Sequence, residues 1–231
     1  MVYPPRCLAC GDMVEADFGM CGPCWRDTPF VVGLACDLCG TPLPGESDRP
    51  EHCDECLRTP RPWAQGRAAL VYRDTARRLV LGLKHGDRQD IAGPAAGWMA
   101  RVTRPVIAPD MIALPVPLHL RRHLKRRYNQ SALLGAPLAR TLGIDWCPDA
   151  LVRPDRTPSL DGKTREERFA ILDGGLCVNP RRAARLVDRP VLIVDDVMTS
   201  GATLAAATEA CLAAGASRVC VTVLARVGKD A

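Results

Sequence analysis

Apolar residues along this chain fall into short runs, separated by polar stretches that carry glycine and proline. The run 191–194, Val-Leu-Ile-Val with three β-branched residues, predicts a fully buried strand ending at two carboxylates, Asp195 and Asp196. The alanine-rich stretch 202–214 predicts a helix directly after it. Residues 68–72, 111–115 and 219–226 are further apolar runs of strand length, whereas 75 to about 84 and 91–104 carry helical spacing. Strands that alternate with helices predict an α/β fold, an open, mostly parallel sheet flanked by helices on both faces. The first 60 residues read differently: apolar positions are sparse and cysteine recurs. A proline-rich join at Thr59, Pro60, Arg61 and Pro62 marks the expected boundary between a 1–60 module and a 61–231 domain.

Eight of the twelve cysteines form four C-x-x-C pairs: Cys7/Cys10, Cys21/Cys24, Cys36/Cys39 and Cys53/Cys56. Each pair can present two sulfurs to one tetrahedral ion, and two pairs complete a Cys₄ site, so two structural Zn²⁺ are expected. A segment this short and this poor in apolar residues needs metal to fold. Sequential ribbons, the first pair with the second and the third with the fourth, are favoured over an interleaved cross-brace. His52 adjoins Cys53 but faces a complete cysteine set. Cys147, Cys177, Cys211 and Cys220 read as small buried apolar residues. Disulfides suit a secreted chain, and a redox pair is one C-x-x-C rather than four.

At 231 residues the chain suits one ordinary α/β domain and a small module. The opening residues MVYPPRC carry no charged-then-apolar leader, and no apolar stretch approaches the roughly eighteen residues of a membrane span. A cytoplasmic protein with reduced thiols is expected. Charge is split unevenly. Residues 1–60 hold 4 Lys and Arg against 10 Asp and Glu, a net of −6, and residues 61–231 hold 27 against 16, a net of +11. An acidic module beside a basic one predicts that the two dock and that the second handles anions.

The richest chemistry lies at 191–204, VLIVDDVMTSGATL. A turn with Thr199, Ser200 and Gly201 opening a helix places a cup of backbone N–H groups where the helix dipole favours a phosphate. Gly201 lets backbone approach the ligand closely. Asp195 and Asp196 can meet ribose hydroxyls or Mg²⁺ at the other end of the same molecule, so a sugar 5-phosphate satisfies both demands. A nucleotide triphosphatase requires G-x-x-x-x-G-K-[ST]; the one Gly-Lys-Thr, at 162–164, has Thr157 where the first glycine belongs, which excludes that class.

Two polar stretches add cations. Residues 115–131, PVPLHLRRHLKRRYNQS, follow a predicted strand with Pro115 and Pro117 and then carry Arg121, Arg122, Lys125, Arg126 and Arg127, with His119 and His123 interleaved. Loops at the carboxyl ends of neighbouring parallel strands share one crevice, so this loop and the 195–203 loop are expected to face one ligand. Residues 151–172 hold Arg153, Arg156, Lys163, Arg165 and Arg168, with the length of a flap that closes on an anion. An ordinary surface loop fits that stretch equally.

On these residues the chain resembles the ComF family, within the type I phosphoribosyltransferases. VLIVDDVMTSGAT resembles the superfamily's signature for 5-phosphoribosyl 1-diphosphate (PRPP). The four C-x-x-C pairs, Tyr72, Leu83-Lys84-His85-Gly86, Val116-Pro117-Leu118 and Asn129-Gln130 follow in family order. Related chains carry phenylalanine where this one has Tyr128, and glutamine where it has Leu160. The resemblance implies that Asp195 and Asp196 hold the ribose 2′- and 3′-hydroxyls. It implies that Val197, Met198, Thr199, Ser200, Gly201, Ala202 and Thr203 line the 5′-phosphate end. Pro117 and Leu118 would offer backbone N–H groups to the diphosphate, Mg²⁺ would bridge diphosphate and ribose, and Lys84 and Arg127 are candidate charge partners. It further implies DNA uptake in transformation, single-stranded DNA and competence helicase-type partners, and a homodimer. Three readings stay open: a Mg²⁺-dependent transferase with an unassigned acceptor, a nucleic-acid-handling factor, and a PRPP-responsive binder without turnover. Ten aromatic residues (four Trp, three Tyr, three Phe) supply a poor base-stacking platform for the second.

Overall fold

A computed structural model of the chain describes residues 4–17, 19–85, 88–118, 128–153 and 175–228. Its strands are β1 (Gln65–Val71), β2 (Ile112–Pro115), β3 (Asp145–Trp146), β4 (Leu151–Val152), β5 (Cys177–Val178), β6 (Pro190–Met198) and β7 (Arg218–Arg226). Its α-helices are α1 (Gly22–Arg26), α2 (Asp54–Arg58), α3 (Asp74–His85), α4 (Ala92–Thr103), α5 (Gln130–Leu142) and α6 (Ala202–Ala213). Five strands form a wholly parallel sheet in the order β1-β7-β6-β2-β3, and β4 and β5 pair antiparallel beside it.

The period-2 alternation of the strands separates two cores. Leu192 and Val194 of β6, with Cys220 and Leu224 of β7, face α3, α4 and α5. Val191 and Ile193, with Val219, Val221 and Val223, face α6 on the other side. Both faces are covered, which is why these strands read as continuous apolar runs.

Chain order creates one crevice. β2 leads through α5 to β3 on one side of the sheet, and β6 leads through α6 to β7 on the other. The two connections diverge between β2 and β6, the place where ligands enter open α/β sheets, at the carboxyl ends of the strands. Contrary to the sequence expectation, β6 does not end before the acids. It runs on to Met198 because β7 keeps pairing with it, Asp195 opposite Val223 and Met198 opposite Arg226. On its other side the pairing stops at Pro115 opposite Val194, where prolines at 115 and 117 end the β2 ladder. Asp195 and Asp196 therefore border an opening while still held rigidly by a strand.

The cysteine module clasps the sheet at its β1 end. Leu8, Met20 and Phe30 join the α3/α4 core, whereas Cys36, Cys39 and Cys56 join the α6 core. Between them the chain pairs with the outer edge of β1, Val31 N–H donating to Ala69 O at 2.9 Å and Val71 N–H to Pro29 O at 2.9 Å. This covers an edge that would otherwise be open to other strands. The expected docking of acidic on basic segments occurs here, with Arg67 on Asp37 at 2.7 Å. No described helix is long and apolar enough to cross a membrane. The cationic residues 119–127, Arg127 among them, and the expected flap from 154 to 172 lie outside the described residues.

Candidate functional site

At the switch point lies a pocket of about 320 Å³ lined by fourteen residues. It brings together Lys84, Pro117, Leu118, Asp195, Asp196, Val197, Thr199 and Thr203, eight of the residues singled out from the sequence. Different elements answer Asp195 and Asp196. Lys84, near the end of α3, places its ammonium 3.0 Å from Asp196 Oδ1. Ser131, in the first turn of α5, donates its hydroxyl to Asp195 Oδ1 at 2.7 Å, and the Asp196 N–H donates to the same oxygen at 2.8 Å. Two carboxylates thus share one ammonium. Burial first, and the Asp196 charge second, push Asp195 up to about 7, against the opposing pull of Ser131 and Lys84. A carboxylate held so far above its ordinary range is short of positive charge.

The loop after β2 is tied back at its far end. Asn129 caps α5, its side-chain oxygen accepting from Ser131 N–H and Ala132 N–H, while its amide donates to Val116 O at 3.0 Å. Tyr128 donates its hydroxyl to Leu83 O at 3.1 Å. Proline has no N–H, so of the expected pair at 117–118 only Leu118 brings a donor. Pro117 instead accepts from Arg153 Nε at 3.3 Å.

The loop after β6 turns at Gly201, whose φ of 83° is left-handed and suits glycine, and α6 begins at the next residue. The first N–H groups of α6 have no acceptor within the helix, and Ser200 Oγ takes the Ala202 N–H at 3.4 Å. Thr199 and Thr203 reach the pocket, Ser200 and Ala202 are exposed, and Met198 is buried beneath, contributing backbone only. Sequence reasoning gave Tyr72, Gln130 and Ser131 no role and placed Arg153 only among the cations of the expected flap, yet all four line the pocket. Ser131 was findable, since a polar residue just after an Asn cap begins a helix that points at the acids.

Both cysteine sets converge as sequential ribbons. The sulfurs of Cys7, Cys10, Cys21 and Cys24 lie within 4.8 Å of one another, as do those of Cys36, Cys39, Cys53 and Cys56. Each set fits one structural Zn²⁺ in a closed Cys₄ site. His52 is exposed and outside both sets. Of the four scattered cysteines, Cys147, Cys211 and Cys220 are buried as expected, whereas Cys177 is exposed because the two-stranded pair leaves one face to solvent.

Residues 1–57 match the double zinc ribbon domain family, and residues 131–231 match the phosphoribosyl transferase domain family. The chain is 33% identical over 241 residues to DNA utilization protein YhgH of Salmonella typhi, covering 98% of this chain and 99% of that protein. It is 32% identical to the protein of the same name in Escherichia coli (strain K12), with the same coverage. It is 27% identical to Competence protein F of Haemophilus influenzae, covering 96% of both chains.

Proposed function

The chain belongs to the ComF family, a double zinc ribbon joined to a phosphoribosyltransferase domain, and from that premise we propose that its switch-point pocket binds PRPP with Mg²⁺. The observation that carries the reading is one strand delivering two carboxylates to the pocket and, five residues on, a left-handed glycine opening a helix of twelve residues. The acids accept from the ribose 2′- and 3′-hydroxyls. The N–H groups at the start of α6, with the hydroxyls of Thr199 and Thr203, take the 5′-phosphate. Leu118 N–H and the Lys84 ammonium face the diphosphate. Asp195, short of positive charge beside Asp196, fits a hard cation with oxygen ligands. When bound, Mg²⁺ neutralises charge on the departing diphosphate. Fixed donors in the pocket stabilise the same developing charge.

The reaction class is transfer of the phosphoribosyl group to an acceptor, with release of diphosphate. The second reading, a PRPP-responsive factor acting on single-stranded DNA, is favoured by the names of the relatives and by the net of +11 over residues 61–231. Thiolate zinc sites suit a reducing compartment, so we assign the protein to the cytoplasm.

Calorimetry with PRPP and Mg²⁺ tests the reading. Asp195→Asn/Asp196→Asn is expected to weaken binding about a hundredfold, since two charge-assisted hydrogen-bond acceptors are lost. Unchanged affinity overturns the assignment. Diphosphate release in an acceptor screen separates turnover from binding alone.

A further inference from the structure

The carbonyl side of the Met198–Gly201 turn is held by the second cysteine ribbon. Arg226, the last residue of β7, donates to Thr199 O at 2.6 Å and to Met198 O at 3.3 Å. Arg61, from the proline-rich join, donates to Ser200 O at 2.5 Å. Both guanidiniums are buried, with side chains 3% and 5% exposed, and both are gripped by Glu55 of α2 at 2.8 Å, one on each carboxylate oxygen. Glu55 immediately precedes the ligand Cys56. Arg61 lies near Cys56 and Arg226 near Cys39, two cysteines of that cluster. Among the described residues, Arg61 Nε and Arg226 Nε are buried with no hydrogen-bond partner. A Cys₄ zinc site carries net negative charge, which suits two buried cations beside it.

Peptide geometry transmits this grip. In a trans peptide the C=O of one residue and the N–H of the next point in opposite directions. Fixing Thr199 O and Ser200 O on the arginines therefore aims the N–H groups of Ser200 and Gly201 the other way. Arg61 is seated where only glycine leaves room: a Cβ on Gly201 would lie 3.0 Å from Arg61 Nη1 and from the Trp63 ring. Trp63 in turn donates to Leu38 O at 2.6 Å, inside the Cys36–Cys39 knuckle.

We propose that Glu55, Arg61 and Arg226 are positioning residues that make the second zinc ribbon part of the anion site, setting the turn whose N–H groups take a sugar 5′-phosphate. This rests on the phosphate reading of that turn and adds that affinity for the phosphate depends on a carboxylate of the ribbon. The first ribbon has no such link among the described residues.

The test uses the zinc-loaded full chain and two probes: ribose 5-phosphate for the turn after β6, and Mg²⁺-diphosphate for the loop after β2. Glu55→Gln is expected to weaken ribose 5-phosphate about tenfold, to leave Mg²⁺-diphosphate affinity within about twofold, and to retain both zinc ions. A loss of fold would weaken both probes together. Should Glu55→Gln shed zinc or melt without cooperativity, Arg61→Lys takes its place, keeping a cation near Cys56 while giving up the forked geometry. Equal ribose 5-phosphate affinity in a folded variant and the wild type overturns the inference alone. Failure of the wild type to bind ribose 5-phosphate overturns the phosphate reading and the inference with it.

Discussion

The two cysteine ribbons repeat one motif, yet the fold uses them differently. In the first, Cys10 is exposed and Cys21 half-buried, and attachment runs through a few apolar contacts and Arg88, which donates to Leu8 O at 3.3 Å. That arginine pairs with Asp90 at 2.7 Å, each side chain 38% exposed. In the second, Cys36, Cys39 and Cys56 are buried in the core beneath the sheet, and the matching strut is more buried, with both arginines 5% exposed or less and Glu55 27% exposed. A Cβ on Gly66 would run into Leu38 O, so β1 and the second knuckle are in backbone contact. An identical ligand set can be an attached clip or a wall of the core; the difference lies in what the intervening residues touch. Screening makes the exposed strut weak and the buried one strong in both directions, since a buried charge stripped of its partner is costly.

The largest effect expected from this contrast is at the ligands. Cys56→Ser should abolish cooperative unfolding, because metal, core wall and strut go together, whereas Cys10→Ser should lower Tm by only about 5 °C. Calorimetric melts with zinc counting check this, and equal losses would erase the distinction between the ribbons. Next are the struts. Glu55→Ala should cost about 3–5 kcal/mol by leaving two guanidiniums buried without their carboxylate. Asp90→Ala should cost at most about 1 kcal/mol, as exposed pairs do. Denaturant titration reads both.

Acid sensitivity gives a smaller and more selective effect. Burial raises Glu55, but Arg226 and Arg61 outweigh it and hold the carboxyl below its ordinary 4.5. A depressed acid contributes stability that is present above 4.5 and lost as pH falls through the lower folded value. Glu55→Gln should therefore flatten the acid limb of the stability profile below about pH 4.5. Asp195 has the opposite sign: held up at about 7, it binds a proton more readily when folded, so native stability falls as pH rises from about 4 to 7. Asp195→Asn should raise Tm by about 2–4 °C at pH 8 and by nothing at pH 4. Identical melts of variant and wild type at both pH values would contradict that account.

Much of this was legible in the residues. The apolar runs indicated four of the five strands of the sheet and three of its helices but not α5 or β3, and the C-x-x-C spacing favoured the sequential metal sets. The acids and the glycine turn were visible because an apolar strand that runs into paired carboxylates and then a glycine turn has a use for them. What stayed hidden was long-range. Nothing local indicates that β7 would carry β6 past its acids, or that Ser131 would reach across 64 residues to Asp195. Arg226 left a trace, a charge closing the apolar run Val-Cys-Val-Thr-Val-Leu-Ala, but its partner Glu55 lies 171 residues earlier and looks like any surface glutamate. Register and tertiary pairing decide these contacts, and periodicity carries neither.

The most direct test of the central claim is a crystal structure with PRPP and Mg²⁺ bound. The 5′-phosphate is expected on the N–H groups of Ser200 to Thr203, with ribose hydroxyls on Asp195 and Asp196 and the diphosphate facing Leu118 and Lys84. Density for PRPP in another cleft, or with its phosphate away from the start of α6, would contradict the account.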